Sequence, residues 1–144
     1  MNEIRVGRLI IAGFITLIVF IIVELLVENF FEYIVFEEAV SEWYLSAGGI
    51  QGWGWKNHLV NIVIALLNTT ILIWLYAALR PMFGVGVKTA LITSLFGFVF
   101  AAAYALNIAN IFNYPWRIVA LELVYLLFEL PVSIIAGATI YELD

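Results

Sequence analysis

The stretch LIIAGFITLIVFIIVELLVE, from Leu9 to Glu28, decides the fold because it is long and apolar enough to cross a bilayer. A bilayer core of about 30 Å needs about 20 predominantly apolar residues in a helix that rises about 1.5 Å per residue. No charge interrupts the run from Leu9 to Val23, and the acids Glu24 and Glu28 follow near its end. The stretch predicts a membrane-spanning helix with carboxylates towards one side of the bilayer.

The composition of the whole chain indicates the same class of protein. Hydrophobic residues make up 65% of the 144 residues and charged residues 12%, whereas soluble domains carry about 25% charged residues. There is no cysteine, which excludes disulfides, thiolate metal sites and thiol catalysis. The formal charge of −5 is scattered, without the basic cluster that nucleic acid would need. We therefore predict an integral membrane protein in contact with the lipid bilayer, with no nucleic-acid partner.

Three further windows match the first in length and apolar character, so we predict an all-α, polytopic membrane protein with a four-transmembrane-helix bundle. Arg80-Pro81 is expected to stop the second helix, since proline disfavours helix continuation. The whole chain, residues 1–144, is predicted to be a single transmembrane domain. Its helices are expected at about 8–34, 59–79, 87–110 and 116–140, with a loop at about 36–58.

The orientation follows from the basic residues near the helix ends. With four spans both termini share one side, and the positive-inside rule places the side richer in lysine and arginine in the cytoplasm. The termini side carries Arg5, Arg8, Arg80 and Lys88, against Lys56 and Arg117 on the other. Both termini are therefore predicted to be cytoplasmic and the loop at about 36–58 extracytoplasmic.

Acids and asparagines fall inside the predicted spans, mostly towards the extracytoplasmic side. Helix rise places Glu24 and Glu122 about 6 Å inside the outer edge and Glu129 about 17 Å deep, near the midplane. Asn68 is expected at the depth of Glu129 and as its partner, and Asn61 lies closer to the outer edge. Asn61 and Asn68, like Glu122 and Glu129, are spaced to share a helix face, which predicts two polar layers inside the bundle.

These residues are the candidate ligand- or ion-binding groups. No lysine or arginine lies inside a span, so the carboxylates must be protonated, hydrogen-bonded, hydrated or bound to a cation. The asparagines could equally serve as hydrogen-bonding contacts between helices, and Glu28 as ordinary interfacial charge. The candidates are Glu129, Glu122, Glu24, Asn68 and Asn61, followed by His58, Glu28 and Asn107.

No catalytic set is predicted. A di-iron bundle needs Glu-x-x-His on two helices, and the chain has a single histidine. The segment GVGVKT at 84–89 has valine where a phosphate-binding loop needs glycine before the lysine. We therefore expect no enzyme activity, and the identity of any metal or cofactor stays open.

Several segments resemble a group of short bacterial four-helix membrane proteins of unassigned function. They are GRLIIAG at 7–13, the acid at Glu24, RPMFGVGVKTA at 80–90 and AGATIYE at 136–142. The resemblance implies a bacterial inner (plasma) membrane and a four-span bundle. It implies no activity.

Two hypotheses of function follow. The first is a non-catalytic integral membrane subunit or packing protein that associates with itself, as a homo-oligomer, or with a larger membrane complex. It is favoured because the chain has no soluble domain to carry chemistry. The alternative is an extracytoplasmic-facing site for a cation, a proton or a small ligand, built from the intramembrane carboxylates and asparagines.

Overall fold

The fold consists of long α-helices. A computed structural model describes residues 4–34, 55–112 and 116–143. Within these ranges the helices are α1 (Val6–Ile34), α2 (Trp55–Phe83), α3 (Val87–Phe112) and α4 (Trp116–Glu142). Each is long and apolar enough to cross a membrane. The prediction of an all-helical chain with four such helices is confirmed, and most of the predicted loop at 36–58 lies outside the described residues.

The ends of α2 differ from the prediction. The helix begins at Trp55, inside the predicted loop, and continues through Arg80 and Pro81 to Phe83, so the expected stop at Arg80-Pro81 was wrong. Pro81 lacks the N–H that would bond to the carbonyl four residues earlier, but only two helical residues follow it, so the helix is almost complete where that bond is lost. The helix ends instead at Gly84, whose amide donates to the Arg80 carbonyl over 2.9 Å and whose φ of +88° suits glycine.

The helices form a bundle in which α1 packs against α2 and α4, and α3 packs against the same two helices. Helices α2 and α4 also contact each other. Thr16, early in α1, lies beside Gly137, late in α4. Arg80, late in α2, lies beside Glu142 at the end of α4. We call the end of the bundle that holds Arg80, Glu142 and the start of α1 the termini end.

Ala109 of α3 and Ile118, Val119 and Leu121 of α4 are buried at the opposite end, but most of the buried core lies in the half of the bundle nearest the termini end. Its hydroxyl groups are hydrogen-bonded, as buried polar groups must be: Thr16 donates to the Ala12 carbonyl over 2.7 Å and Ser94 to the Ala90 carbonyl over 2.8 Å. The buried apolar cluster contains Ala12, Ile73, Tyr76, Ala77, Ala90, Leu130, Ile134, Ala138 and Tyr141.

Two glycines let α1 approach its neighbours closely. A Cβ on Gly13 would lie 2.9 Å from the Thr70 Cα of α2, and the Thr69 hydroxyl donates to the Gly13 carbonyl over 3.0 Å. A Cβ on Gly137 of α4 would collide with the Thr16 Oγ1. Small residues at such points allow backbones to come within van der Waals contact, which is the usual mode of helix packing in membranes.

Packing is looser at the opposite end. The described side chains of residues 55–64, the first turns of α2, are all exposed, and so are most of those on α1 beyond Ile21. The bundle is therefore tight at the termini end and open where α2 begins.

Candidate functional site

The five principal candidates are not gathered in one place. Glu129 is buried, with 3% of its surface exposed. Glu122, Glu24, Asn68 and Asn61 are all exposed on the outside of the bundle. The prediction of two polar layers inside the bundle is therefore wrong for the single chain.

The physical reason is that residue spacing defines a helix face but not its direction. Asn61 and Asn68 do share a face of α2, but that face points away from the other helices. On α4, Glu122 is exposed and Glu129 is buried, although they are seven residues apart. Packed helices cross at an angle, so the line of contact shifts across the face along a helix.

The remaining candidates do not complete a site around Glu129. His58 and Asn107 are exposed, and the side chain of Glu28 lies outside the described residues. Among the residues that the structure describes, no group of three or more His, Cys, Asp or Glu side chains could hold a metal ion.

Glu129 itself lies in an apolar part of α4. Its neighbours Leu130 and Ile134 are buried, and the Ser133 hydroxyl donates to the Glu129 backbone carbonyl over 2.6 Å. The helix continues past Pro131 without a break. Asn68, the predicted partner of Glu129, is on the exposed side of α2.

Replacing the Glu129 carboxyl by an amide tests whether it belongs to a cation site. We expect Glu129→Gln to leave the thermal unfolding temperature in detergent within about 2 °C of the wild type, since glutamine keeps the shape and the hydrogen-bonding capacity. Neither protein should be stabilised by Na⁺, K⁺, Mg²⁺ or Ca²⁺. A cation that raises the wild-type unfolding temperature but not that of Glu129→Gln would contradict this and favour the carboxylate-site hypothesis.

The structure instead brings together four polar side chains and one backbone amide at the termini end. We call this cluster the clasp: the side chains of Tyr76, Arg80, Tyr141 and Glu142 and the amide of Gly86. Arg80 Nη1 donates to both carboxylate oxygens of Glu142, over 2.9 and 3.0 Å. The Arg80 guanidinium lies 5.5 Å from the Tyr141 ring centre, a cation–π distance. The Tyr76 and Tyr141 rings meet edge to face at 6.4 Å, and the Gly86 amide donates to the Tyr76 hydroxyl over 3.0 Å.

The clasp ties α2, the turn before α3 and the end of α4 to one another. The sequence prediction used Arg80 to orient the chain and, with Pro81, to stop the second helix, and it gave Glu142 no role. The available signal was the opposite charge of the two residues at the ends of α2 and α4. Its interactions are those of a structural junction.

A cavity of about 290 Å³ lies beside the clasp. Its polar groups already have partners: Glu142 binds Arg80, Tyr76 binds Gly86, and the Thr139 hydroxyl donates to the Ile135 carbonyl over 2.8 Å. The other lining residues are apolar or glycine. The full lining consists of Tyr76, Val85, Gly86, Val87, Ala90, Ile135, Ala138, Thr139, Glu142 and Leu143. This cavity offers shape but few polar groups to orient a ligand.

Removing the charge of Arg80 tests the clasp. Arg80→Met keeps the aliphatic stem and should lower the free energy of unfolding by about 1 kcal/mol. This value lies between those for exposed and buried ion pairs, because the Arg80 and Glu142 side chains are 15% and 24% exposed. Lys88→Met, at an exposed lysine of the same end, is the matched control and should change little. Urea unfolding of Arg80→Met, Glu142→Gln and the double variant Arg80→Met/Glu142→Gln forms a double-mutant cycle, and a coupling energy of zero would contradict the pairing.

Comparisons with known proteins identify no relative: no protein-family model, no curated protein and no solved structure matches the chain.

Proposed function

We propose that this protein is a non-catalytic, multi-pass subunit of a bacterial inner membrane that associates laterally with copies of itself or with another membrane protein. Both termini are proposed to face the cytoplasm. The orientation is supported by the basic residues Arg80 and Lys88 on either side of the turn at the termini end.

A membrane location is supported by the outer surface of the helices. Large apolar side chains are exposed along all four, such as Phe14 (52%), Leu67 (58%), Phe100 (72%) and Leu127 (55%). Soluble monomers rarely expose apolar surface of this extent, whereas lipid tails solvate it without cost.

The observation that carries the proposal of association is the direction of the intramembrane polar groups. Asn61, Asn68 and Glu122 are exposed on the outside of the bundle, within helices that are long and apolar enough to cross a membrane. A polar group that faces hydrocarbon is costly, and contact with a second protein removes it from lipid. The groups therefore fit the surface of a subunit better than the lining of a pocket inside one chain.

The buried polar groups support a structural role. Thr16, Ser94 and Ser133 donate to carbonyls of their own helices, and Thr69 links α2 to α1. The first three bonds satisfy buried hydroxyls within one helix, and the Thr69 bond holds α2 against α1.

Counting subunits in membrane discs extracted by polymer, without detergent, tests the proposal. The tagged chain, expressed at low level in a bacterial host, should occur with at least one further membrane polypeptide per disc, either a second copy or a different protein. Single-molecule photobleaching counts the copies, and native mass spectrometry identifies other chains. Discs that contain only one copy and no other membrane protein would overturn the proposal.

A further inference from the structure

The outer face of α2 has the pattern of a helix–helix interface. We infer that Asn61, Ile64, Asn68 and Ile71, which we call the α2 seam, form a homodimer interface occupied by the same four residues of a second copy of this chain. The inference rests on the proposed function and names one partner and one surface for it.

The spacing of the α2 seam is that of a coiled-coil contact. Its residues follow one another at intervals of three, four and three, the repeat of the a and d positions of a heptad. All four are exposed, with Ile64 at 49% and Ile71 at 58%. The opposite side of α2, with Ile73 and Tyr76, is buried in the bundle. The seam is therefore available to a second protein while the four-helix fold stays intact.

The two asparagines favour a second copy as the partner. Two copies inserted in the same orientation can be related by a two-fold axis along the membrane normal, which makes the two α2 helices parallel. Each residue of the seam then meets its own counterpart at the same depth. An amide carries both a donor and an acceptor and so pairs with a second amide, and asparagines in such positions hydrogen-bond across membrane helices. Asn61 and Asn68 would form two such pairs, with Ile64 and Ile71 packed between and beside them.

Other polar faces suit self-pairing less well. A symmetric contact through Glu24 or Glu122 would set two acids against each other, which disfavours the ionised form of both. On α3 the exposed asparagines, Asn107 and Asn110, are only three residues apart near the helix end, whereas Asn61 and Asn68 are seven residues apart with Ile64 between them. Asn107 therefore provides a matched control for the same substitution.

Disulfide cross-linking tests the position of the seam. The natural chain has no cysteine, so each variant carries one thiol. Ile64→Cys in lipid vesicles should give mostly cross-linked dimer on oxidation. Ile22→Cys, exposed on α1 at a similar predicted depth of about 8 Å, should give at least fivefold less. Equal cross-linking at the two positions would overturn the seam, because it would indicate random collision.

Substitution of the amides tests their role. Asn68→Leu should raise the dimer dissociation constant about 5- to 30-fold, as measured by energy transfer between labelled copies over a range of protein-to-lipid ratios. Asn61→Leu should act in the same direction, and Asn107→Leu should have no effect. All three positions are exposed in the single chain, so the thermal unfolding temperature of a diluted, monomeric sample should not fall. This measurement separates loss of association from loss of folding.

The outcomes distinguish this inference from the proposed function. A dimer that forms equally well in Asn68→Leu and the wild type overturns the α2 seam but leaves self-association standing. Association only with a different membrane protein also overturns the seam and keeps the proposed function. A chain that remains single both in vesicles and in native membrane discs overturns both.

Discussion

Gly13→Ala is expected to lower the free energy of unfolding by about 3 kcal/mol, the upper part of the range for overpacked cores. The new methyl group would lie 2.9 Å from the Thr70 Cα and would also collide with the Thr70 Oγ1. A clash with backbone is not relieved by rotating a side chain, so α1 and α2 must move apart. That movement also weakens the bond between the Thr69 hydroxyl and the Gly13 carbonyl.

The matched control for this prediction is on the same helix. A Cβ on Gly7 would meet nothing within 4 Å, so Gly7→Ala should leave stability unchanged or raise it by up to about 1 kcal/mol through helix propensity. Unfolding of both variants in mixed micelles, followed by circular dichroism, gives the comparison. Thr70→Ala should not rescue Gly13→Ala, because the Thr70 Cα remains. A full rescue, or equal effects at Gly7 and Gly13, would show that the two helix backbones are not in contact here.

Gly137→Ala should destabilise the protein by about 2 kcal/mol, less than Gly13→Ala, because its collisions are with side chains. The added methyl group would meet the Thr16 Oγ1 and would lie 2.7 Å from the Ile73 Cδ1. The isoleucine end group can turn aside, but the threonine oxygen is fixed by its bond to the Ala12 carbonyl.

A second substitution makes this prediction specific. Thr16→Ala removes the colliding oxygen at small cost, since that hydroxyl bonds only within its own helix among the described contacts. The double variant should therefore recover at least half of the stability lost in Gly137→Ala. A double-mutant cycle of urea unfolding measures the coupling. Strictly additive losses would mean that α1 and α4 do not meet at this pair.

The number and type of the helices could be predicted because hydropathy over about 20 residues is a strong signal. Their ends were harder to predict. Pro81 is a helix breaker in a helix interior, but in the last turn of α2 it coexists with the helix, and Gly84 ends it through a left-handed backbone conformation. Local composition alone did not distinguish these two positions.

The directions of the polar side chains could not be predicted for a different reason. Each helix is apolar on all sides, so no apolar stripe marks the side that faces the bundle. The spacing of Asn61 and Asn68 correctly indicated a shared face, and the structure then directed that face outward. Glu129 was predicted to be inside and is buried, but Glu122 on the same helix is not. Which acid is enclosed depends on the crossing of α4 with its neighbours, a tertiary property.

The clasp was missed because its partners are distant in sequence and each had a simpler interpretation. Arg80 had served as a topology signal and a helix-end signal, and Glu142 had been given no role. Because consecutive helices run antiparallel, α2 and α4 are parallel and both end at the termini end, where Arg80 binds Glu142. A search for opposite charges at matching ends of non-adjacent helices could have found the pair.

The distance between Arg80 and Glu142 along the chain also has a consequence for biosynthesis. Glu142 follows Arg80 by 62 residues, and a ribosome working at about 5 to 20 residues per second takes about 3 to 12 s to make them. During that interval the guanidinium has been synthesised but its carboxylate has not. A nascent chain therefore acquires this ion pair only when its fourth helix has been made, and a chain on a ribosome stalled within α4 cannot contain it.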